Sequence, residues 1–358
     1  MIQREFGLSA TQVGLLSSIP PALFAIAALA GSLLVARLGI RAALVGALSL
    51  VAAGSALRGL STSYGVLFVT TILMSAGVAI LQPIMPTTVR QWLPRRIGLG
   101  TAVYTNGLLM GEVFAVLLTT PLVLPMVDAS WRASLVFWSV PVAAIACVVY
   151  LFAPQAQTRS PAAQGAPLKW LPDWHVGLVW RLGGLFLCVN AMYFGANAFM
   201  PIYLTSVGRP DLINDALLAL NFGQLPASAV LLLAAARLER RSWSYLAAGA
   251  LSMVSIIGFV LMPGPAAVVG AGVLGFAVGG ALTLALTLPA LLCRAEDVAR
   301  TSAGAFTISY AGAVVVAIIS GAAWDLSAIP GLAFVPLAAC AGGLVAASAV
   351  LRRKGDLH

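Results

Sequence analysis

Residues 154–174 read PQAQTRSPAAQGAPLKWLPDW, the longest run in this 358-residue chain that lipid could not hold. The run is rich in Pro and Gln, carries Arg159, Lys169 and Asp173, and has no apolar period, which marks a linker. On either side lie apolar blocks cut by short charged punctuation. The reading is an all-α polytopic membrane protein with an N-terminal helical bundle over 1–153, a cytoplasmic linker over 154–177 and a C-terminal bundle over 178–358.

Composition supports this. An ordinary soluble domain is roughly 25% charged, whereas this chain is 9% charged and 61% hydrophobic, with a mean hydropathy of +1.00. So few charges do not cover a soluble surface. Cys147, Cys188, Cys293 and Cys340 all lie in apolar runs without paired spacing, so they read as small core residues, with neither a disulfide framework nor a metal site expected. The histidines, His175 and His358, lie outside the apolar blocks, which removes most metal and acid–base chemistry.

A helix needs about 20 apolar residues to cross a hydrocarbon core. Cutting at charged and Pro/Gly breaks gives spans at 11–37, 42–60, 64–90, 97–124 and 131–153, then 178–205, 212–236, 243–262, 265–292, 298–324 and 330–350. Five precede the linker and six follow it. Alternate loops divide the 20 Lys and Arg residues unequally: Arg4, Arg58, Arg132 and Arg209 fall on one side and all others on the opposite side. Basic loops face the cytoplasm, so the linker and C-terminus are expected there. The net charge of +9 is then a topology signal, and no nucleic-acid partner is implied. An odd number of spans puts Met1 outside, which suggests a missing first helix.

An internal repeat agrees. Ala36-Arg37-Leu38-Gly39-Ile40-Arg41 recurs as Ala236-Arg237-Leu238-Glu239-Arg240-Arg241, and each copy is followed by Gly-Ala-Leu-Ser and an apolar residue, Leu50 or Met253. The copies end the first and seventh spans, so parallel halves leave the first half one helix short.

Arg37-Leu38-Gly39-Ile40-Arg41 resembles the loop signature of the major facilitator superfamily, with Ala36 where the signature has Asp. Gln82-Pro83-Ile84-Met85-Pro86, the run from Tyr193 to Pro201, Leu220-Asn221-Phe222-Gly223-Gln224-Leu225-Pro226, the run from Asp297 to Gly304, and Trp324-Asp325-Leu326 are similar to its cyanate and 2-nitroimidazole transporter branch. The resemblance implies two six-helix halves, a substrate cavity between them, and a gating loop carrying Arg37, Gly39 and Arg41. Gly98, Gly107 and Gly111 also match the glycine spacing of the superfamily's antiporter motif, with Glu112 in place of its Pro. Close helix packing by itself explains the glycine face, since Gly107 and Gly111 form a small-xxx-small pair, so antiport is not inferred from it.

Glu112 is the one carboxylate well inside a span. Fourteen residues after Gly98, it sits about 21 Å along the helix. Intramembrane acids are functional candidates by default, so Glu112 reads either as a proton-coupling site or as a structural partner of Arg58 or of a backbone group. Polar side chains at helical spacing mark candidate substrate-binding faces: Asn190, Tyr193 and Asn197; Asn221 and Gln224; Tyr104, beside the face that Thr105 shares with Glu112; Tyr310 with Thr307; and Gln82, flanked by Pro83 and Pro86 where a broken helix exposes backbone. The alternative for each is interhelical hydrogen bonding. Amides and hydroxyls suit a small polar or weakly anionic solute; a strong anion normally calls for a buried Arg, and Arg58 and Arg181 lie near span ends.

The expected function is a secondary active transporter in the cytoplasmic (inner) membrane, working by alternating access as a monomer without cofactor or metal. A non-transporting receptor or scaffold on the same fold is the competing reading. An enzyme is not expected, since the chain carries no HExxH, no GxSxG, no P-loop and no intramembrane histidine.

Overall fold

The structure is a computed structural model that describes residues 5–6, 10–154, 170–238, 242–262 and 264–353. Residues 155–169 of the linker expected over 154–177 and the basic end of the second repeat, 239–241, therefore lie outside the described residues, as do residues 354–358. The main helices are α1 (Ala10–Gly59), α2 (Tyr64–Trp92), α3 (Ile97–Leu118), α4 (Trp131–Phe152), α5 (Gly177–Ser206), α6 (Ile213–Phe222), α7 (Gln224–Leu238), α8 (Ser242–Leu261), α9 (Pro265–Leu292), α10 (Val298–Ser327) and α11 (Val335–Arg353). Among the described residues, nine helical segments are long and apolar enough to cross a membrane. Splitting α1 into two spans and adding α3 gives the eleven expected from the sequence. The all-helical membrane fold is as expected.

Three departures from the expected spans have local causes. The first two spans are one long helix kinked at Gly39, which has φ 79° and ψ 168°, a backbone region essentially reserved for glycine. Arg37 and Leu38 are exposed there, and Ile40 starts a new buried run with Ala43, Leu44 and Ala47 against Ile80 and Ile84. The span expected over 97–124 stops as an α-helix at Leu118 and continues as a π-helical turn, Thr119–Val123, which contains Pro121 and its missing N–H. The span expected over 212–236 is broken between Phe222 and Gln224, because Pro226 has no N–H to give the Phe222 carbonyl four residues back.

Glycines stand at several close helix contacts, and many large apolar side chains face outward. Leu233, Leu326 and Phe152 are 93%, 90% and 78% exposed, surfaces suited to lipid. The chain forms two compact units, one of residues 1–92, 112–175 and 293–307, the other of residues 93–111, 176–292 and 308–358. In the first, α1 and α2 approach so closely that a Cβ on Gly31 would stand 2.5 Å from the Ile80 carbonyl oxygen. Arg132 Nε reaches the Ser61 carbonyl at 3.1 Å, and Ser32 Oγ meets the Trp170 carbonyl at 2.7 Å. At the head of α10, Arg300 pairs with Asp297 at 2.8 Å.

In the second unit, Tyr203, Phe259 and Phe334 form an aromatic cluster with centroids 5.4–5.5 Å apart. Tyr203 also donates to the Val260 carbonyl at 2.7 Å. A Cβ on Gly275 of α9 would collide with the Leu220 carbonyl, and one on Gly279 would stand 2.8 Å from the Gln224 Cβ. These glycines let α9 pack directly on the α6–α7 joint. Of the four cysteines expected as core residues, Cys293 and Cys340 are buried, whereas Cys188 is half-buried and Cys147 is exposed; the side chains of Cys188 on α5 and Cys340 on α11 face one another.

Candidate functional site

The second unit brings three of the expected substrate-binding residues together. Tyr193 and Asn197 lie one turn apart near the middle of the 30-residue helix α5, and Asn221 stands at the end of α6, where Pro226 breaks the span. Tyr193 Oη donates to Asn221 Oδ1 at 2.7 Å. Asn221 Nδ2 donates to Asn197 Oδ1 at 3.1 Å and to the Leu217 carbonyl at 2.8 Å, while Asn197 Nδ2 donates to the Tyr193 carbonyl at 2.9 Å. All three residues are half-buried. Two aromatic contacts extend the cluster: Phe194 lies 5.3 Å from Tyr193 and 6.0 Å from Tyr310, centroid to centroid.

The other candidates are placed differently. Asn190 is buried and donates to Ser309 Oγ at 2.7 Å, which ties α5 to α10. Gln224 is buried under Gly279. Tyr104 is half-buried, but its hydroxyl is buried with no hydrogen-bond partner among the described residues, as are those of Thr101 and Ser228. Tyr310 is buried, and the unit boundary falls between it and Thr307.

In the first unit, Gln82 is half-buried on α2, which stays helical through Pro83 and Pro86 where a broken helix was expected. Thr87 and Thr88 bridge the passage by donating to the Pro83 and Ile84 carbonyls at 3.0 and 2.8 Å. Glu112 is exposed on α3. Gly107 and Gly111 are exposed too, and a Cβ on either would meet nothing within 4 Å; this overturns the close-packing explanation of that glycine pair. Of the gating-loop residues, Arg37 is exposed and Gly39 forms the kink. Arg41 donates to the Tyr150 carbonyl and lies over its ring, 5.4 Å from the centroid. Arg58, the alternative partner for Glu112, places Nη1 3.3 Å from Met74 Sδ.

Two features escape a reading by helical stripes. Asn106 donates to both the Ala102 and Ser228 carbonyls at 3.0 Å; its signal is a lone amide in an apolar helix. Polar residues are also followed by proline four positions on, as in Gln82/Pro86 and Asn197/Pro201. Each proline removes the N–H that its partner's carbonyl would otherwise accept.

The model of the Major Facilitator Superfamily matches residues 1–317. The chain is 28% identical over 289 residues to the cyanate transport protein CynX of Escherichia coli (strain K12), covering 80% of this chain and 73% of that protein. It is 27% identical over 216 residues to the 2-nitroimidazole transporter of the same strain, covering 59% and 52%. Among solved structures, the E. coli fucose:proton symporter FucP superposes with a TM-score of 0.72 at 16% identity, over 96% of this chain and 91% of that one, a likeness of fold.

Proposed function

Because the chain belongs to the Major Facilitator Superfamily, we propose that it is a secondary active transporter that carries a small polar solute by alternating access. The observation that carries the reading is the half-buried Tyr193–Asn197–Asn221 cluster in the middle of apolar helices. Hydrogen-bonding groups at mid-depth, beside helices interrupted by proline, are the form that transporter binding sites take. Similarity to proteins named for cyanate and 2-nitroimidazole transport supports a solute of that small size.

The moving bodies are the bundles 1–153 and 178–358, with the gating loop at Arg37, Gly39 and Arg41. The basic loops and the C-terminus face the cytoplasm, the protein sits in the inner membrane, and the carrier is a monomer. Glu112, exposed in a span, is the proton-coupling residue.

Counterflow in proteoliposomes tests the reading. The expected result is saturable uptake, reduced about tenfold by Asn221→Leu, the scale of one lost ligand hydrogen bond. Linear, unsaturable flux marks a channel, and binding without flux marks a receptor; either ends the carrier reading. Coupling is read separately: Glu112→Gln removes the pH dependence of uptake, and an unchanged profile clears Glu112 of that role.

A further inference from the structure

The geometry points to a solute that is neutral and recognised through its own N–H or O–H groups, with anions discriminated against, at the Tyr193–Asn197–Asn221 cluster. This rests on the transporter reading and narrows it. The argument is one of polarity. A backbone carbonyl only accepts hydrogen bonds, so the contact with the Leu217 carbonyl fixes which end of the Asn221 amide is nitrogen. Both hydrogens of that nitrogen are engaged, one at Leu217 and one at Asn197 Oδ1. The same logic at the Tyr193 carbonyl fixes the Asn197 amide, with its oxygen toward Asn221. The phenolic hydrogen of Tyr193 goes to Asn221 Oδ1.

What the cluster offers a ligand follows by subtraction. Each amide oxygen has two lone pairs, and one is used among the described residues, so Asn197 Oδ1 and Asn221 Oδ1 each retain one. Pro201 and Pro226 have no N–H for the backbone carbonyls of Asn197 and Phe222. Against these oxygens stands one remaining N–H, on Asn197. A solute carrying N–H or O–H groups completes the acceptors. A solute with only lone pairs meets oxygen with oxygen and leaves buried acceptors unsatisfied. Positive charge on α5 does not offset this: Arg181 is about 18 Å along the axis from Tyr193, and Arg209 lies beyond the end of the helix, paired with Asp211.

The experiment uses the full chain in detergent and in proteoliposomes, with matched probes. These are 2-nitroimidazole against 1-methyl-2-nitroimidazole, urea against tetramethylurea, and acetamide against N,N-dimethylacetamide, with cyanate, formate and nitrate as anions. The expected result is thermal stabilisation and flux competition by at least one N–H-bearing member, about tenfold stronger than by its methylated partner, with the anions inactive. Asn197→Leu, checked for native monodispersity, should erase the difference between partners. Tyr193→Phe frees the Asn221 oxygen and should keep the preference for donors.

A methylated partner binding as tightly as its parent, an anion bound or carried in an Asn221-dependent manner, or no response to any N–H-bearing probe overturns the inference. Anion flux of that kind would still leave the carrier reading standing. Tight binding of a donor probe without flux would end the carrier reading and keep the polarity argument.

Discussion

Asn106 on α3 gives its amide hydrogens to two backbone carbonyls, that of Ala102 in its own helix and that of Ser228 in α7, each at 3.0 Å. The contact joins segments far apart in the chain through a group that must donate twice. Asn106→Leu removes it for about 0.6–1 kcal/mol, the usual scale of an interhelical hydrogen bond in a membrane protein. Asn106→Asp sets carboxylate oxygens against carbonyl oxygens and should lower the thermal midpoint in detergent further than Leu at neutral pH. Acid should partly restore it, since the protonated acid regains one donor. A smaller loss for Asp than for Leu would show that the amide does not donate here.

Glycine acts by position. A Cβ on Gly275 would collide with the Leu220 carbonyl, whereas one on Gly184 would meet nothing within 4 Å. Gly275→Ala is therefore expected to cost about 1–3 kcal/mol, the range for overpacking, while Gly184→Ala leaves stability unchanged or raises it through helix propensity. Thermal melts of the two purified variants decide the matter. Equal melts would mean that α9 does not press on the α6–α7 joint.

The contrast between these glycines also marks where sequence reading stops. Span length is imposed by the thickness of lipid, so α2, α4, α5, α8, α9 and α10 are legible from apolar runs alone. Gly39 is legible because a basic loop interrupts the runs, though its geometry is a kink within a helix. The break at Phe222 follows from Pro226, but only if the missing N–H outweighs the apolar run around it. Helical spacing finds Tyr193 and Asn197, yet it treats Asn190 and Gln224 as equals of Asn221. Their burial depends on what α9 and α10 place over them, and no local pattern records that. Gly107 and Gly111 fail the other way: a small-xxx-small spacing permits close packing without supplying a partner.

Glu5 accepts hydrogen bonds from Trp131 Nε1 and Arg132 Nη1, with Phe6 edge-on to Trp131 at 5.9 Å. The Trp131 bond first, and then Arg132, hold the Glu5 carboxyl below its ordinary value. A group depressed in the folded state adds stability above its unfolded pKa and loses it as pH falls through the folded one. The difference in melting temperature between the parent and Glu5→Gln should thus be present at pH 7 and vanish in the acid range below the ordinary carboxylate value. A difference that grows on acidification has the wrong sign for this contact.

Cys188 and Cys340 lie 152 positions apart in sequence, yet their side chains face one another, and a Cβ on Gly343 would stand 3.0 Å from Cys188 Sγ. So close a contact between α5 and α11 makes the pair oxidisable in place. Diamide crosses membranes and takes up both thiol hydrogens as it is reduced to the hydrazine, leaving a disulfide. Peptide mapping after diamide should recover a Cys188–Cys340 cross-link within one chain, lost in Cys188→Ser and in Cys340→Ser. Cys147 is exposed and Cys293 is buried just after α9, and neither meets another cysteine among the described residues, so both should stay open to alkylation after denaturation. Because the cross-link joins two helices of one compact unit, it should raise the melting temperature of that unit without requiring any rearrangement. If both thiols survive diamide, or cross-link only between molecules, α5 and α11 do not meet at these residues.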